Sequence, residues 1–205
     1  MSADTLTDKL AALPGATASA TDHTAVGYDV SVALPESSLL AAVTIMDEAG
    51  YFLECMTGVD WLGECAALRK EAEAEAKKAA EAAAQAVAQS AAASAETTEA
   101  APDAPTAPQA AAAEPAPNSI PQEDSLEVVY VFNRFSARHR VNLRVRTPRS
   151  NPQIPTIAEI YPIAHWQERE IHEFFGIVFI GHPYLIPLLL PEDAEYHPLL
   201  KDYSA

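Results

Sequence analysis

Residues 64–122 constrain the fold most, because they contain almost no large apolar side chains. Residues 66–93 are mostly alanine with Glu, Lys and Gln, which favours a solvated helix, and six prolines between Pro102 and Pro121 then favour extended disorder. Such a stretch cannot contribute a buried stripe. We therefore expect a flexible insert at 64–122 between two halves of one domain, residues 1–63 and 123–205. Its simplest role is that of a spacer, and a partner-docking helix is the alternative.

The first half reads as a strand, a helix and a second strand. Alternation of apolar residues from Val26 to Leu34 predicts a strand with one buried face. Pro35 is expected to open a helix that runs to Asp47, and residues 51–56 form the next strand, with residues 58–61 as its exit. Residues 4–13 precede these elements as a possible short helix.

The second half opens with a predicted hairpin, residues 127–133 and 140–147. In its second strand, small apolar residues alternate with Arg140, Asn142, Arg144 and Arg146, so one face is apolar and the other cationic. Thr156 and Glu159 fit a capping box for a short helix from Thr156 to Tyr161. The whole order indicates an α+β fold: a small, mostly antiparallel sheet with helices on one face, a long Ala/Pro-rich insert and an irregular C-terminal tail.

The stretch from His165 to His182 is the densest in charge and aromatic residues. Its spacing predicts a helix on which Arg169 can pair with Glu173, and Glu168 with His172. Gly176 is placed to cap the helix end in a left-handed conformation. After it, the apolar and proline-broken segment from Leu185 to Pro191 is poorly suited to a core, and exposed apolar segments often mark partner contacts.

Composition excludes several classes of function. The net charge of -16 argues against non-specific nucleic-acid binding, although six arginines lie between Arg134 and Arg149. That arginine face could be solvated, could dock an acidic partner, or could contact nucleic acid. We see no secretory signal and no apolar run long enough to span a membrane, which predicts a cytoplasmic chain that meets a membrane only through partners. The only cysteines, Cys55 and Cys65, are too few for an iron–sulfur cluster.

A long ordered set of residues resembles one known family. The set includes Glu168-Arg169-Glu170, Glu173 to Ile177, Gly181-His182-Pro183, Pro191-Glu192-Asp193, His197-Pro198-Leu199 and Lys201-Asp202-Tyr203, with Gly58 to Trp61 upstream. It is similar to the motif of the 30-kilodalton (C-type) subunit family of respiratory complex I, a subunit type shared with membrane-bound nickel–iron hydrogenases. Two departures stand out: Ile186-Pro187 replaces a usual basic pair, and Tyr196 and Leu200 replace a glycine and an arginine.

The resemblance implies a non-catalytic, cofactor-free subunit in the peripheral arm of an NADH:quinone oxidoreductase that couples electron transport to ion translocation. The alternative is the equivalent subunit of a nickel–iron hydrogenase. Iron–sulfur clusters, flavin or a nickel–iron centre would belong to partner subunits. The chain would contact a large D-type subunit (or hydrogenase large subunit) and neighbouring iron–sulfur subunits, on the cytoplasmic side of the cell membrane. The expected partner-binding residues are Glu168, Arg169, Glu170, Glu173, Phe174, Phe175, His182, Pro183, Leu188, Leu189, His197, Lys201 and Asp202.

One hypothesis of a different class remains at this point. Glu168, His172, Glu173 and His182 could be metal ligands of a stand-alone metalloenzyme. The ligand order of zinc hydrolases is absent, and neither a nucleophile nor a phosphate-binding glycine loop accompanies these residues. We therefore expect no catalytic, cofactor-binding or metal-binding residue in this chain.

Overall fold

The computed structural model describes residues 3–71, 74 and 123–204. The chain divides into two units, Met1–Leu62 with Glu123–Ala205, and Gly63–Gln122. In the second unit, residues 64–71 are helical. The predicted insert at 64–122 lies mostly outside the described residues, so its boundaries and its role as a spacer stay predictions.

The first unit is built around a five-stranded sheet with two short strands beside it. Its elements are α1 (Ala3–Ala11), β1 (Thr17–Ala20), α2 (His23–Val26), β2 (Val30–Leu34), a 3-10 turn (Glu36–Ser38), α3 (Leu39–Glu48), β3 (Phe52–Asp60), β4 (Ser125–Arg134), β5 (His139–Pro148), β6 (Gln153–Pro155), α4 (Ala164–Phe175) and β7 (Val178–Ile180). The strand order in the large sheet is β1-β2-β5-β4-β3.

All neighbours in this sheet are antiparallel except β2 and β5, which run parallel. Strands from both ends of the sequence are therefore interleaved. The polypeptide departs after β3 and returns at β4, where the Trp61 N–H donates to the Ser125 carbonyl oxygen at 3.0 Å. A second, two-stranded parallel sheet joins β6 to β7. The predicted α+β class with a mostly antiparallel sheet is confirmed.

One core fills the helix-covered side of the sheet. Alternate residues of the central strands, such as Tyr130, Phe132 and Leu143, are fully buried there. Leu6 and Leu10 from α1 join the same cluster, as the period of the first predicted helix requires. On the described residues, no helix is both long and apolar enough to cross a membrane.

Several local predictions differ from the structure. The predicted helix from Thr156 to Tyr161 does not form, and only Ala158 to Ile160 make a turn. The Thr156 hydroxyl donates to Glu168 and accepts from the Ala158 N–H at 3.2 Å, so the capping box with Glu159 is not made. The first large strand begins at Val30 rather than Val26, since α2 ends at Gly27 with φ 82°. The predicted strand over residues 51–56 continues to Asp60, past an irregularity between Leu53 and Cys55.

Candidate docking site

The α4 helix is the element that organises the C-terminal part of the chain. It ends at Gly176, whose φ of 74° is left-handed and whose N–H donates to the His172 carbonyl oxygen at 2.8 Å. The predicted glycine cap is therefore confirmed. Trp166 and Glu170 are exposed, whereas Glu168, Arg169 and Glu173 are buried. Buried charges on a short helix need partners, and each of the three has a different one.

Glu168 fastens α4 to the turn that follows β6. Its carboxylate accepts hydrogen bonds from the Thr156 hydroxyl and, at 2.8 Å, from the Ile157 N–H. Burial raises the pKa of Glu168 to about 7, against the lowering effect of these two donors. The carboxyl group thus holds its proton to higher pH than an exposed glutamate does.

His182 lies next to Glu168 but does not form an ion pair with it. Its Nε2 is 3.9 Å from the Glu168 Oε2, and both side chains are fully buried. The Tyr184 N–H donates to His182 Nδ1 at 3.1 Å, so that nitrogen carries no proton, and Nε2–H can donate to the His165 carbonyl oxygen at 3.2 Å. Desolvation also lowers the pKa of His182. The histidine is neutral and serves to join α4 to the loop after β7.

Arg169 holds the first part of the tail by its carbonyl groups. Its guanidinium donates to the Ile186 oxygen at 2.9 Å and to the Pro187 oxygen at 2.8 Å. The same group lies 5.4 Å from the Trp166 ring centroid and 5.5 Å from that of Tyr184. Cation–π contacts and carbonyl contacts together replace the water that a buried guanidinium loses.

Glu173 holds the next part of the tail by its amide groups. Its carboxylate accepts from the N–H groups of Leu188 at 2.7 Å, Leu189 at 3.0 and 3.1 Å, and Leu190 at 3.2 Å. Three successive N–H groups that converge on one anion satisfy a backbone that has no helix or strand of its own. The predicted irregular tail is confirmed, and its conformation is fixed from α4.

The expected pairs within the helix, Arg169 with Glu173 and Glu168 with His172, do not form. Each charged group is directed to backbone atoms of another segment, and the His172 Nδ1 lies 2.9 Å from the Ile177 carbonyl oxygen. The reason is that irregular segments leave backbone donors and acceptors unpaired, and long charged side chains can reach them.

The end of the tail returns to the sheet. His197 Nδ1 donates to the Glu173 carbonyl oxygen at 2.8 Å, and its ring lies against Gly176, where a Cβ would come within 2.8 Å of it. Asp60, at the end of β3, accepts from the Lys201 N–H at 2.9 Å and pairs with Arg149 at 3.3 Å. Arg149 also pairs with Asp202. Both ends of the tail are thereby anchored.

With the backbone held in this way, apolar side chains of the tail face outward. Those exposed are Tyr184, Leu189, Tyr196, Leu199 and Tyr203. We call these five residues the tail surface. Leu189, whose side chain is 66% exposed although its N–H is bound to Glu173, shows the arrangement most clearly.

The thirteen predicted docking residues fall into three groups, and their role in partner binding stays a prediction. With the backbone counted as well as the side chain, the buried ones are Glu168, Arg169 and Glu173; the partly buried ones are Phe174, Phe175, His182, Leu188 and His197; the exposed ones are Glu170, Pro183, Leu189, Lys201 and Asp202. Sequence reasoning missed Asp60 and Arg149 as anchors of the tail. Asp60 stood within the Gly58 to Trp61 part of the family resemblance and Arg149 within the arginine-rich segment, but neither pattern indicated a contact with the tail.

The four candidate metal ligands do not converge. Glu168 and Glu173 bind different backbone segments, and His172 and His182 are each engaged by carbonyl or N–H groups. Within the described residues, no group of three or more His, Cys, Asp or Glu side chains is placed to hold a metal ion. Cys55 and Cys65 are free thiols.

The arginine face of the sheet is largely neutralised by acids of the same chain. Arg140 makes two hydrogen bonds with Glu54, at 2.9 and 3.0 Å. Arg144 makes two with the buried Glu127, both at 2.9 Å, and Arg146 approaches the same carboxylate at 3.6 Å. Glu127 lies on β4, next to the arginine strand β5, and Glu54 lies on β3, one strand further away, which residue order alone does not reveal. This face therefore presents less free positive charge than its sequence indicates.

Comparison with known proteins gives one family. The family described as "Respiratory-chain NADH dehydrogenase, 30 Kd subunit" matches residues 32–205. The C-type subunit of the NADH-quinone oxidoreductase of Roseiflexus castenholzii is 48% identical over 81 residues, 40% of this chain and 47% of that protein. The protein of the same description from Salinispora tropica is 44% identical over 78 residues, 38% of this chain and 32% of that protein. In both, the match spans less than half of the relative's length.

A solved structure shares the fold. It is a polypeptide from the membrane-bound sulfane sulfur reductase, an archaeal respiratory membrane complex, with 18% identity and a TM-score of 0.60. The superposition covers 98% of this chain and 84% of the archaeal one. At this identity, the likeness concerns the fold alone.

Proposed function

Because the chain belongs to the family of the 30 Kd subunit of respiratory-chain NADH dehydrogenase, we propose that it is the peripheral-arm C-type subunit of a complex I-like NADH:quinone oxidoreductase. In this role it carries out no redox step itself. It supports electron transfer, coupled to ion translocation, by holding a large D-type subunit in position. The flavin and iron–sulfur clusters belong to neighbouring subunits, and the chain reaches the cytoplasmic side of the membrane only through the complex. The names of the curated relatives favour this assignment over a hydrogenase subunit.

The observation that carries this proposal is the tail surface held by buried charges. Arg169 and Glu173 bind the tail backbone between Ile186 and Leu190, while the tail-surface side chains are exposed. A soluble domain gains nothing from fixing apolar side chains toward water, whereas a docking surface gains from a conformation that is set before binding.

The docking residues therefore divide into two roles. Glu168, Arg169 and Glu173, buried in this chain, act as internal supports, with His182 and His197 beside them. Glu170, Leu189 and the exposed end of the tail contact the large subunit directly. Aromatic and leucine side chains in the centre of such a surface are expected to dominate the binding energy.

Leu189→Glu tests this role. The side chain is 66% exposed and its contact with Glu173 runs through the backbone, so the change should leave folding intact. A charge in the docked surface should reduce the amount of large subunit that co-purifies by about tenfold or more, since burying an unpaired carboxylate costs more than the ~1.4 kcal/mol that a tenfold change in affinity represents. The measurement is affinity purification of the chain from cells that make its native partners.

Leu40→Glu is the matched control. Leu40 is an exposed leucine on α3 (44% exposed) outside the tail surface. It should keep normal co-purification, and both variants should unfold at the temperature of the unmodified chain. Equal losses in the two variants, or none in either, would contradict the assigned surface.

A further inference from the structure

The tip of the β4–β5 hairpin carries an exposed aromatic pair. Phe135 is 78% exposed, the highest value among the large apolar side chains described. Its ring lies 4.7 Å from that of Phe52 on β3, with 34° between the ring planes. Phe52 is opposite Asn133 in the β3–β4 register, which fixes it beside the turn. The two rings form one small apolar patch, in which Phe52 is held in place by strand β3.

The same turn contains an unusual backbone conformation. Arg138 has φ 49° and is the only non-glycine residue with positive φ among those described. Such a conformation costs an arginine about 1 kcal/mol. Strain of this kind persists where the surrounding structure holds it, and it is concentrated at binding sites. The Arg138 N–H donates to the Phe135 carbonyl oxygen at 3.2 Å, which closes the turn.

Unlike the neighbouring arginines, Arg138 has a guanidinium group with no partner among the described residues. Arg140, Arg144, Arg146 and Arg149 all face carboxylates, and Arg134 bonds to Ser136. In the described part of the chain, the Arg138 side chain has neither a hydrogen bond nor an ion pair. It borders a cavity of about 210 Å³, lined by His23, Asn133, Phe135, Arg138 and Arg140.

We propose that this hairpin tip is a second docking site, for a segment of a partner protein that carries a carboxylate next to an aromatic or aliphatic side chain. The carboxylate pairs with the Arg138 guanidinium at the cavity. The apolar side chain packs on Phe52 and Phe135. Arginine and aromatic residues are the types that supply most binding energy at protein interfaces. We call Phe52, Phe135 and Arg138 the hairpin-tip site; its residues are distinct from the tail surface.

Charge decides between the classes of partner. Nucleic acid requires several cations along a strand, and Arg138 is one. An anionic membrane and a second copy of this chain are both repelled by a chain of net charge -16. An acidic group within a protein segment needs one cation and an apolar neighbour, which is what the tip offers.

The test uses photo-cross-linking from the tip in the assembled protein. Phe135→p-benzoylphenylalanine is introduced into the full chain in cells that make the native partners, and the cross-linked peptide is identified by mass spectrometry. We expect a cross-link to a partner segment with an aspartate or glutamate beside the attachment site. Adding Arg138→Gln should reduce its yield about tenfold, the loss expected when an arginine that supplies much of the binding energy is removed. Lys9→Gln removes an equal charge from α1 and should leave the yield unchanged.

A second variant separates binding from folding. Arg138→Gly relieves the positive φ, so the chain should unfold at the same or a higher temperature, and yet the cross-link should be lost. Cross-links only to lipid, to nucleic acid or to another copy of the chain would overturn the proposal, and so would equal yields in Arg138→Gln and Lys9→Gln. The same probe at Leu189 reports on the tail surface, so a cross-link there without one at Phe135 overturns this inference and leaves the proposed function standing.

Discussion

At the scale of single residues, the most informative group is Glu168. It is fully buried, accepts from Thr156 and Ile157, and has its pKa raised to about 7 by burial. Neutral His182 and the buried Tyr130, whose pKa is also raised, face the same region. Because burial changes the pKa of this carboxyl group, the stability of the folded chain depends on whether Glu168 carries its proton.

The raised pKa of Glu168 makes the folded chain less stable as the pH rises. The folded chain keeps the Glu168 proton up to about pH 7, whereas the unfolded chain loses it near pH 4.5. The folded state therefore binds more protons in this window, and its stability falls as the pH rises through it, by about 3 kcal/mol in total. Glu168→Gln has no such proton. The free energy of unfolding of the unmodified chain, minus that of Glu168→Gln, should decrease between pH 4.5 and 7, as urea titrations can measure. Parallel curves would show that Glu168 does not titrate there.

At the scale of elements, the contact of α4 with β3 depends on a missing side chain. Gly58 lies under the Phe175 ring, and a Cβ at this glycine would come within 2.5 Å of a ring carbon. Phe175 occupies the end of α4, one residue before the Gly176 cap. This contact, together with the buried Ala164 and Ile171, holds the helix, and with it the tail, on the sheet.

Gly58→Ala should therefore destabilise the chain by about 2 kcal/mol, because the ring must move out of a packed position. Phe175→Leu in the same chain should recover part of this loss, since a smaller side chain leaves room for the methyl group. Thermal or urea unfolding of the two single variants and the double variant measures the coupling. Additive losses would mean that the ring and the glycine do not meet.

The tail is the second feature at this scale. Glu173→Gln keeps the shape of the side chain but offers one acceptor oxygen to three N–H groups. We expect the amides of Leu188 to Leu190 to exchange hydrogen faster while those of β4 keep their protection. Glu170→Gln, an exposed acid on the same helix, is the control and should change neither. Hydrogen-exchange mass spectrometry or NMR makes the measurement, and unaltered exchange at the three leucines would refute the anchoring role.

At the scale of the whole molecule, the sequence patterns predicted those structural features that depend on residues close together in the sequence. The hairpin, the first helix and the Gly176 cap follow from periods of two and 3.6 residues and from glycine chemistry. The strands β1, β6 and β7 were missed because they are three or four residues long and owe their pairing to remote partners. Glu168, Arg169 and Glu173 were expected to face a partner, since charged residues normally avoid the core. Only the paths of the turn after β6 and of the tail reveal the backbone groups that these three side chains bind.

The hydrogen bond between Trp61 and Ser125 brings residues 61 and 125 together at one edge of the sheet. Whatever number of residues joins those two points, the span to be closed is the same. Closing a longer loop costs little, about 0.6 kcal/mol for each doubling of length. This edge is thus a convenient place to graft a fluorescent protein or an affinity handle, or to shorten the polypeptide for crystallisation.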